Sequence, residues 1–349
     1  LSNFSVENPK RSKRMGNLFN DTFTEESLYC AYLEARKGKR KAVECYQFEL
    51  SVGAEIADLS KTLLNGTYTP RPLKRFEIKE PKLRIIHAPH FRDLVVQHAI
   101  YRVIYPIFDK SFIDQSYACR KGGGTHKASD YAQASMRKHG GDLYYAKLDI
   151  RKFFYSIDRE ILRKQFETKI KDKRLVDLMC DFAKMSDDKG IPIGNLLSQI
   201  YALIYLNPLD HFAKRELNIK HYVRYVDDFV AIGLSLEQAK SFKVDCENFV
   251  KTKLNLDLSH WTIAKIKNGI NFVGYRTWRK TRFVRKHSVY KFKKAAKHKN
   301  IEAMASLLGH AKHSATIVFY SKFLLTNNLI KHLPCRSRSL CLNILNTRP

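Results

Sequence analysis

Residues 222–232, Tyr222-Val223-Arg224-Tyr225-Val226-Asp227-Asp228-Phe229-Val230-Ala231-Ile232, set two adjacent carboxylates between two apolar runs. β-Branched and aromatic residues flanking a polar pair predict a hairpin, with strands at 222–225 and 229–232 and a tight turn at Val226-Asp227-Asp228. Alone, such a pair is ordinary turn chemistry. Upstream, however, Leu143–Leu148 reads as a strand running into Asp149, so its terminal carboxylate can meet the turn at the sheet edge. Two-metal phosphoryl transfer needs such convergence. Two Mg²⁺ ions about 3.5–4 Å apart activate the attacking hydroxyl and grip the triphosphate, and Mg²⁺ prefers carboxylate and phosphate oxygens.

Outward from this hairpin, helical periodicity predicts a helix over 159–185. A loop, Gly190-Ile191-Pro192-Ile193-Gly194-Asn195, then opens an apolar helix from Ser198 to Leu217, and another helix spans Leu236–Lys253. Strand, helix, helix, hairpin, helix is an α+β order. Residues 1–24 read as a basic arm. Residues 25–142 hold two N-terminal helices divided by the basic break at 36–41, a hairpin over Arg75–Ile86 with Phe76, Ile78, Leu83 and Ile85 facing inward, and an apolar helix over 93–108. Residues 143–275 form the central domain. Residues 276–349 are a basic helical segment, dense from Arg279, Lys280, Arg282 and Arg285 onward, ending in about 15 residues without a packing pattern.

Lys and Arg number 63 against 34 Asp and Glu, a formal charge of +29. A surface so positive draws polyanions, and nucleic-acid phosphate is the partner that best fits it. No apolar run approaches the roughly 20 residues that cross a bilayer, and residues 1–14 lack the apolar stretch of a secretory signal. The chain is expected to be cytoplasmic, with no membrane partner. Seven scattered cysteines without a C-x-x-C pair predict reduced thiols and neither a disulfide framework nor a zinc site.

Tyr225-Val226-Asp227-Asp228 resembles the tyrosine-x-aspartate-aspartate box of reverse transcriptases, and Leu148-Asp149-Ile150-Arg151-Lys152-Phe153-Phe154 resembles their first catalytic box. The order of the boxes, with a glycine-bearing loop and helix between them, also matches, and ordered boxes are far more specific than any one of them. The resemblance implies a right-hand polymerase of fingers, palm and basic helical thumb. It makes Asp149, Asp227 and Asp228 catalytic and places them, with Ile150, as ligands of two Mg²⁺ ions, Mn²⁺ being a possible substitute. Phe154 becomes the aromatic gate that excludes a ribose 2′-hydroxyl, with Phe153 the core aromatic beside it. Pro81-Lys82-Leu83-Arg84 followed by Phe91-Arg92-Asp93 resembles the fingers hairpin and its arginine-aspartate helix. Lys82 and Arg84 then clamp the incoming triphosphate, against the alternative of a solvated basic hairpin. Asn271-Phe272-Val273-Gly274-Tyr275 resembles the primer grip, with Phe272, Gly274 and Tyr275 as its residues. The family's general-acid lysine has no clean match, Lys265 and Lys267 being merely nearby.

Most reverse transcriptases carry glutamine between the proline and glycine of the 190–195 loop, then Ser-Pro. Here Ile193 and Ser198-Gln199 stand instead, which looks like the enzymes of diversity-generating retroelements, bacterial or phage-encoded and group II-intron-like. Ile193, Gly194 and Gln199 join the nucleotide-binding set on this reading. Ser116-Tyr117-Ala118-Cys119-Arg120 and Gly269-Ile270-Asn271-Phe272 extend the likeness, which covers roughly residues 25–315 and has Leu197 where threonine is common. The resemblance implies copying of template RNA through an RNA/DNA duplex with deoxynucleoside triphosphates, errors opposite adenine, and a small basic accessory protein. Two other readings stay open: an anti-phage defence reverse transcriptase, and a non-catalytic RNA-binding module that kept the palm as scaffold. Only 74 residues (349 minus 275) follow Tyr275, too few for a thumb plus a ribonuclease H domain of about 100 residues.

Overall fold

Helix Phe91–Asp109 buries Leu94, Val95, Val96, Ala99, Ile100 and Ile104 on one face, and helices Glu25–Ala35 and Leu196–His211 pack against it. Its first turn lacks a side-chain cap of its own. Glu44 takes that place, accepting the Phe91 N–H at 3.0 Å, a carboxylate suited to the positive end of the helix. Arg92 pairs with Glu55 and Asp58, while buried Asp93 accepts from Tyr68 Oη (2.6 Å) and the Arg71 N–H (3.1 Å). Arg92 therefore ties this helix to helix Val52–Leu64, and Asp93 anchors the segment that follows it.

In this computed structural model residues 14–79, 83–185 and 188–346 are described. The chain divides into two compact units. One comprises the chain to Ile113, Ile150–His211 and Asn248–Asp257; the other comprises Asp114–Asp149, Phe212–Glu247 and the chain from Leu258. No described helix is long and apolar enough to cross a membrane.

The first unit departs from the sequence expectation in four places. The second N-terminal helix is broken at Ser51, giving Val43–Leu50 and Val52–Leu64. The helix predicted over 159–185 is two, Arg159–Glu167 and Lys173–Asp181, because Asp172 caps a new start by accepting the Leu175 N–H. Part of the basic arm is ordered: Met15 bridges Ile170, and helix Leu18–Thr22 buries Phe19. Residues 1–13 lie outside the described residues. The hairpin consists of β1 (Lys74–Ile78) and β2 (Arg84–Ala88) in antiparallel register. Three of its four expected inward residues face out, with Phe76 at 48%, Ile78 at 43% and Leu83 at 65% exposure, while Ile85 is half-buried. Two strands alone enclose no interior, and the alternation has no second layer to turn toward.

In the second unit, β3 (Tyr144–Ile150), β4 (His221–Tyr225), β5 (Asp228–Leu234) and β6 (Leu258–Lys265) form a sheet in the order β4-β5-β3-β6. Helix Thr125–Arg137 covers one face, its Ala128, Ala132 and Met136 packing on Tyr145, Val223, Val230 and Ile232. A smaller sheet, β7 (Ile270–Phe272), β8 (Tyr275–Thr277) and β9 (Arg282–Val284), leads into helices whose core stacks Phe292 on Tyr320 at 3.7 Å. The final segment is not loose. It forms helix Cys335–Asn346, buries Cys341 and packs on helix Thr316–Thr326. Its apolar positions Leu340, Ile344 and Leu345 meet that core, a stripe too short and interrupted to stand out against the neighbouring charges.

His221 on β4 is 7% exposed, and burial, then the neighbouring His139 and lysines, pushes its imidazole down to about 4 from 6.5. The folded chain thus binds fewer protons here than the unfolded one. This stability contribution is complete above pH 6.5 and is lost as pH falls toward 4, at most about 3 kcal/mol at 1.36 kcal/mol per pH unit. Thermal melts at pH 7 and pH 5 should show His221→Gln losing less stability than wild type on acidification; parallel losses would remove this assignment.

Candidate active site

Asp149 in β3 and Asp228 in β5 are directly paired in antiparallel register, which sets opposed Cα atoms about 4.5–5.5 Å apart. Tyr225 pairs with Asp228 across the hairpin, so Val226 and Asp227 form a two-residue turn. Val226 has φ +56°, a left-handed conformation costly for a β-branched residue, of order 1–3 kcal/mol. Arg224 holds it there. This side chain is completely buried, and its Nη1 donates to the Val226 carbonyl at 2.8 Å. Its main chain is fixed too, the N–H donating to Gln115 O (3.0 Å) and the carbonyl accepting from Tyr117 N–H (3.1 Å).

The carboxylates sit in unlike settings. Burial pushes the Asp228 carboxyl up to about 6; Lys147 opposes the rise, and the negative charges of Asp149 and Asp227 add to it. Lys147 Nζ forms an ion pair with Asp228 Oδ1 at 2.9 Å. Asp149 Oδ2 accepts from Ser259 Oγ on β6 at 2.8 Å. Among the described residues no three His, Cys, Asp or Glu side chains form a closed metal cage. The open set still fits Mg²⁺, which retains waters and binds through one or two carboxylates plus substrate phosphates. Ile150 has its side chain 2% exposed, leaving its main-chain carbonyl for the ligand role.

Four of the expected nucleotide-binding residues are joined within the first unit. The His87 N–H on β2 donates to Ile193 O at 2.7 Å, and the Ile191 N–H donates to Phe154 O at 2.8 Å. Gly194, at φ +102°, lies so close to β2 that a Cβ would stand 2.5 Å from Ile86 Cγ2. Gly190 is similarly tight, with Tyr155 backbone 3.0 Å from its notional Cβ. One hydrogen-bonded wall thus carries the exposed Arg84, half-buried Phe154, half-buried Ile193 and Gly194. Phe153 is buried at 2%, as a core aromatic should be. Gln199 is exposed on helix Leu196–His211. Lys82 lies outside the described residues.

Two other expectations change. Phe272 and Tyr275 are 1% and 0% exposed, so neither side chain can touch a primer. Tyr275 Oη instead donates to His310 O at 2.6 Å and meets His126 Nδ1 at 2.9 Å. What the β7–β8 hairpin offers a strand is the backbone of its turn at Val273 (φ +42°) and Gly274 (φ +89°). Arg282, read as part of the basic helical segment, lies instead in β9, is 8% exposed and is bound to Asp130 (2.7 Å) and His313 O (2.8 Å). Lys265 and Lys267 both face Asp142, at 3.6 and 3.1 Å. The lysine beside the aspartates is Lys147, and the sequence did not single it out. Neither did it single out Arg224 or Ser259. Strand alternation places Lys147 two residues before Asp149 on the same face, the one available signal for it.

A strand-end aspartate registered against an aspartate pair in a strained turn, on an antiparallel sheet backed by helices, defines the palm of a right-hand nucleic-acid polymerase. The chain belongs to the reverse transcriptase (RNA-dependent DNA polymerase) family, whose profile matches residues 77–277. That membership places it among RNA-directed DNA polymerases, enzymes that work with divalent metal ions. It has relatives among group II intron proteins and retron reverse transcriptases. It is 25% identical over 276 residues to "Protein YkfC" of Escherichia coli K12, covering 66% of this chain and 72% of that protein. It is 30% identical over 170 residues to "Group II intron-encoded protein LtrA" of Lactococcus lactis subsp. cremoris, covering 45% of this chain and 28% of that protein. Identity to "Retron Ec73 reverse transcriptase" of Escherichia coli is 26% over 194 residues, covering 51% and 58%. The chain thus spans less than two thirds of the last two proteins.

Proposed function

We propose that this chain copies a template RNA into complementary DNA by two-metal addition of deoxynucleotides, with frequent errors opposite template adenines that diversify a target gene. The observation that carries the polymerase reading is the register of Asp149 against Asp228 with Asp227 in the adjoining turn. Asp149, Asp227 and Asp228 would hold two Mg²⁺ ions. When bound, these supply activation of the primer 3′-hydroxyl and neutralisation of the triphosphate. Lys147 and Ser259 orient the Asp228 and Asp149 carboxylates, and Arg224 fixes the turn between the strands. Arg84 receives phosphate oxygens, Phe154 excludes the 2′-hydroxyl, and the β7–β8 turn supports the primer through its backbone.

The mutagenic part rests on Ile193. A glutamine at this place can hydrogen-bond the nascent pair or template, whereas isoleucine offers apolar contact alone. A mispair then loses less relative to a correct pair, the hydrogen-bond term of discrimination being absent. The Ile193 carbonyl is held by His87, which leaves the side chain as the variable element. Ile193→Gln is expected to lower misincorporation opposite adenine several-fold, read by sequencing cDNA from a defined RNA. An unchanged error spectrum would discard the loop account, and wild-type copying without adenine bias would favour the defence role. The diversity-generating reading also brings a small basic accessory protein as partner.

A further inference from the structure

The turn between β8 and β9, Trp278-Arg279-Lys280-Thr281, belongs to neither the catalytic carboxylates nor a thumb helix, although its cations read from sequence as part of the basic thumb. It is closed by the Trp278 N–H donating to Thr281 O at 2.7 Å. Helix Thr125–Arg137 pins it from the side: Gln133 Nε2 donates to Trp278 O and Arg137 Nε to Arg279 O, both at 2.9 Å. The indole lies against Gly269 (φ +76°), where a Cβ would come within 2.7 Å of the ring. Beside this fixed turn is a cleft of about 570 Å³, with Trp278, Phe283 and Ile266 as its apolar lining and Arg137, Lys267, Arg279 and Lys280 at its rim. Lys267 is paired with Asp142; the rim still carries a clear excess of positive charge. Phe283 is 43% exposed and meets Trp278 edge-on at 6.0 Å. The same two aromatics also line a second cleft with Lys147, Arg276, Arg285 and His287, which Lys147 connects to Asp228. The aromatic pair therefore lines both clefts, one holding Arg279 and Lys280 and the other Lys147.

We propose that the Trp278–Phe283 cleft is a second nucleic-acid site that seats an unstacked base of single-stranded RNA, its flanking phosphates on Arg279, Lys280 and Arg137. A slot of this volume admits a base and not a double helix. Aromatic faces accept any base, and fixed cations follow the backbone without reading sequence. Concentrating cations on a turn held by three hydrogen bonds disfavours the free protein and suits a polyanion that neutralises them. The choice of RNA among single strands rests on the polymerase reading; the cleft and its occupant class do not.

The test is equilibrium binding of a fluorescein-labelled, unstructured 12-nucleotide RNA to the full chain, followed by anisotropy across a salt series, with unlabelled RNA/DNA duplex present to fill the catalytic cleft. Arg279→Glu/Lys280→Glu is expected to weaken binding at least about tenfold and to flatten the log Kd against log salt slope by roughly 1.4, at about 0.7 per phosphate contact. Phe283→Ala should weaken binding about 5- to 20-fold with the slope unchanged, the signature of lost stacking. All three positions are solvent-exposed, and unchanged melting temperatures would verify folding. Wild-type affinity and slope in the charge variant would overturn the proposal. So would loss in the charge variant with full affinity in Phe283→Ala, which reduces the cleft to a nonspecific basic patch. A wild-type chain that binds as described yet extends no primer would leave the cleft standing and fail the polymerase reading.

Discussion

Asp228→Asn is expected to abolish primer extension while making the metal-free chain harder to unfold. Loss of a metal-ligating carboxylate removes several kcal/mol of transition-state stabilisation, roughly a thousandfold or more in rate. The stability change runs the other way. Asp228 is half-buried, its side chain 21% exposed, and desolvation together with two nearby carboxylates raises its pKa. An acid whose folded pKa is raised incurs no penalty below its ordinary value of 3.8. It becomes a cost as pH climbs, and the full penalty holds above about 6. Asparagine removes that cost but leaves Lys147 without its ion-pair partner. The net gain at pH 7.5 should therefore be about 1–2 kcal/mol, seen as a melting temperature raised by a few degrees and shrinking toward pH 4. A variant that is inactive and also less stable at neutral pH would mean that Asp228 is held chiefly by Lys147, and that carboxylate crowding is unimportant.

Phe154→Ala should open the polymerase to ribonucleotides. Phe154 is half-buried, its ring edge-on to core Phe153 at 5.5 Å, and its carbonyl is fixed by the Ile191 N–H. On the gate reading, a ring anchored by this contact and this hydrogen bond would meet an added hydroxyl with little room to yield. A steric element of this kind discriminates by clash, not by affinity for the correct sugar. Its removal should raise kcat/KM for ribonucleotides on the order of a hundredfold or more, while deoxynucleotide use falls only modestly. Single-nucleotide incorporation assays with each sugar read this directly, and unchanged sugar selectivity would end the gate assignment.

Chemistry local to a few residues was the most legible in the sequence. The hairpin at 222–232 and the strand entering Asp149 were readable because apolar alternation and a polar turn are short-range signals. Phe153 lies in the core as the resemblance implied. What failed depended on partners distant in sequence. Asp172 ends the predicted long helix by capping a new one, which reads as an ordinary polar residue within helical periodicity. The alternation at 75–86 is genuine strand patterning, but its facing could not be known without the missing second layer. Phe272, Tyr275 and Arg282 carry the residue types of a binding surface but are spent on packing, Phe272 against the four-stranded sheet and Tyr275 and Arg282 at the contacts of the small sheet with its helices. Lys147, Ser259 and Arg224 reach their roles through strand register, which fixes contacts more than a hundred residues apart for Ser259 and Asp149.

Primer extension on a defined RNA template with Mg²⁺ and four deoxynucleotides, run beside an Asp227→Ala/Asp228→Ala double variant, decides whether the three aspartates form a polymerase centre. Full-length cDNA is expected from the wild-type chain and none from the variant, with no product when Mg²⁺ is chelated. Equal product from both proteins, or wild-type synthesis that persists in chelator, would contradict that assignment.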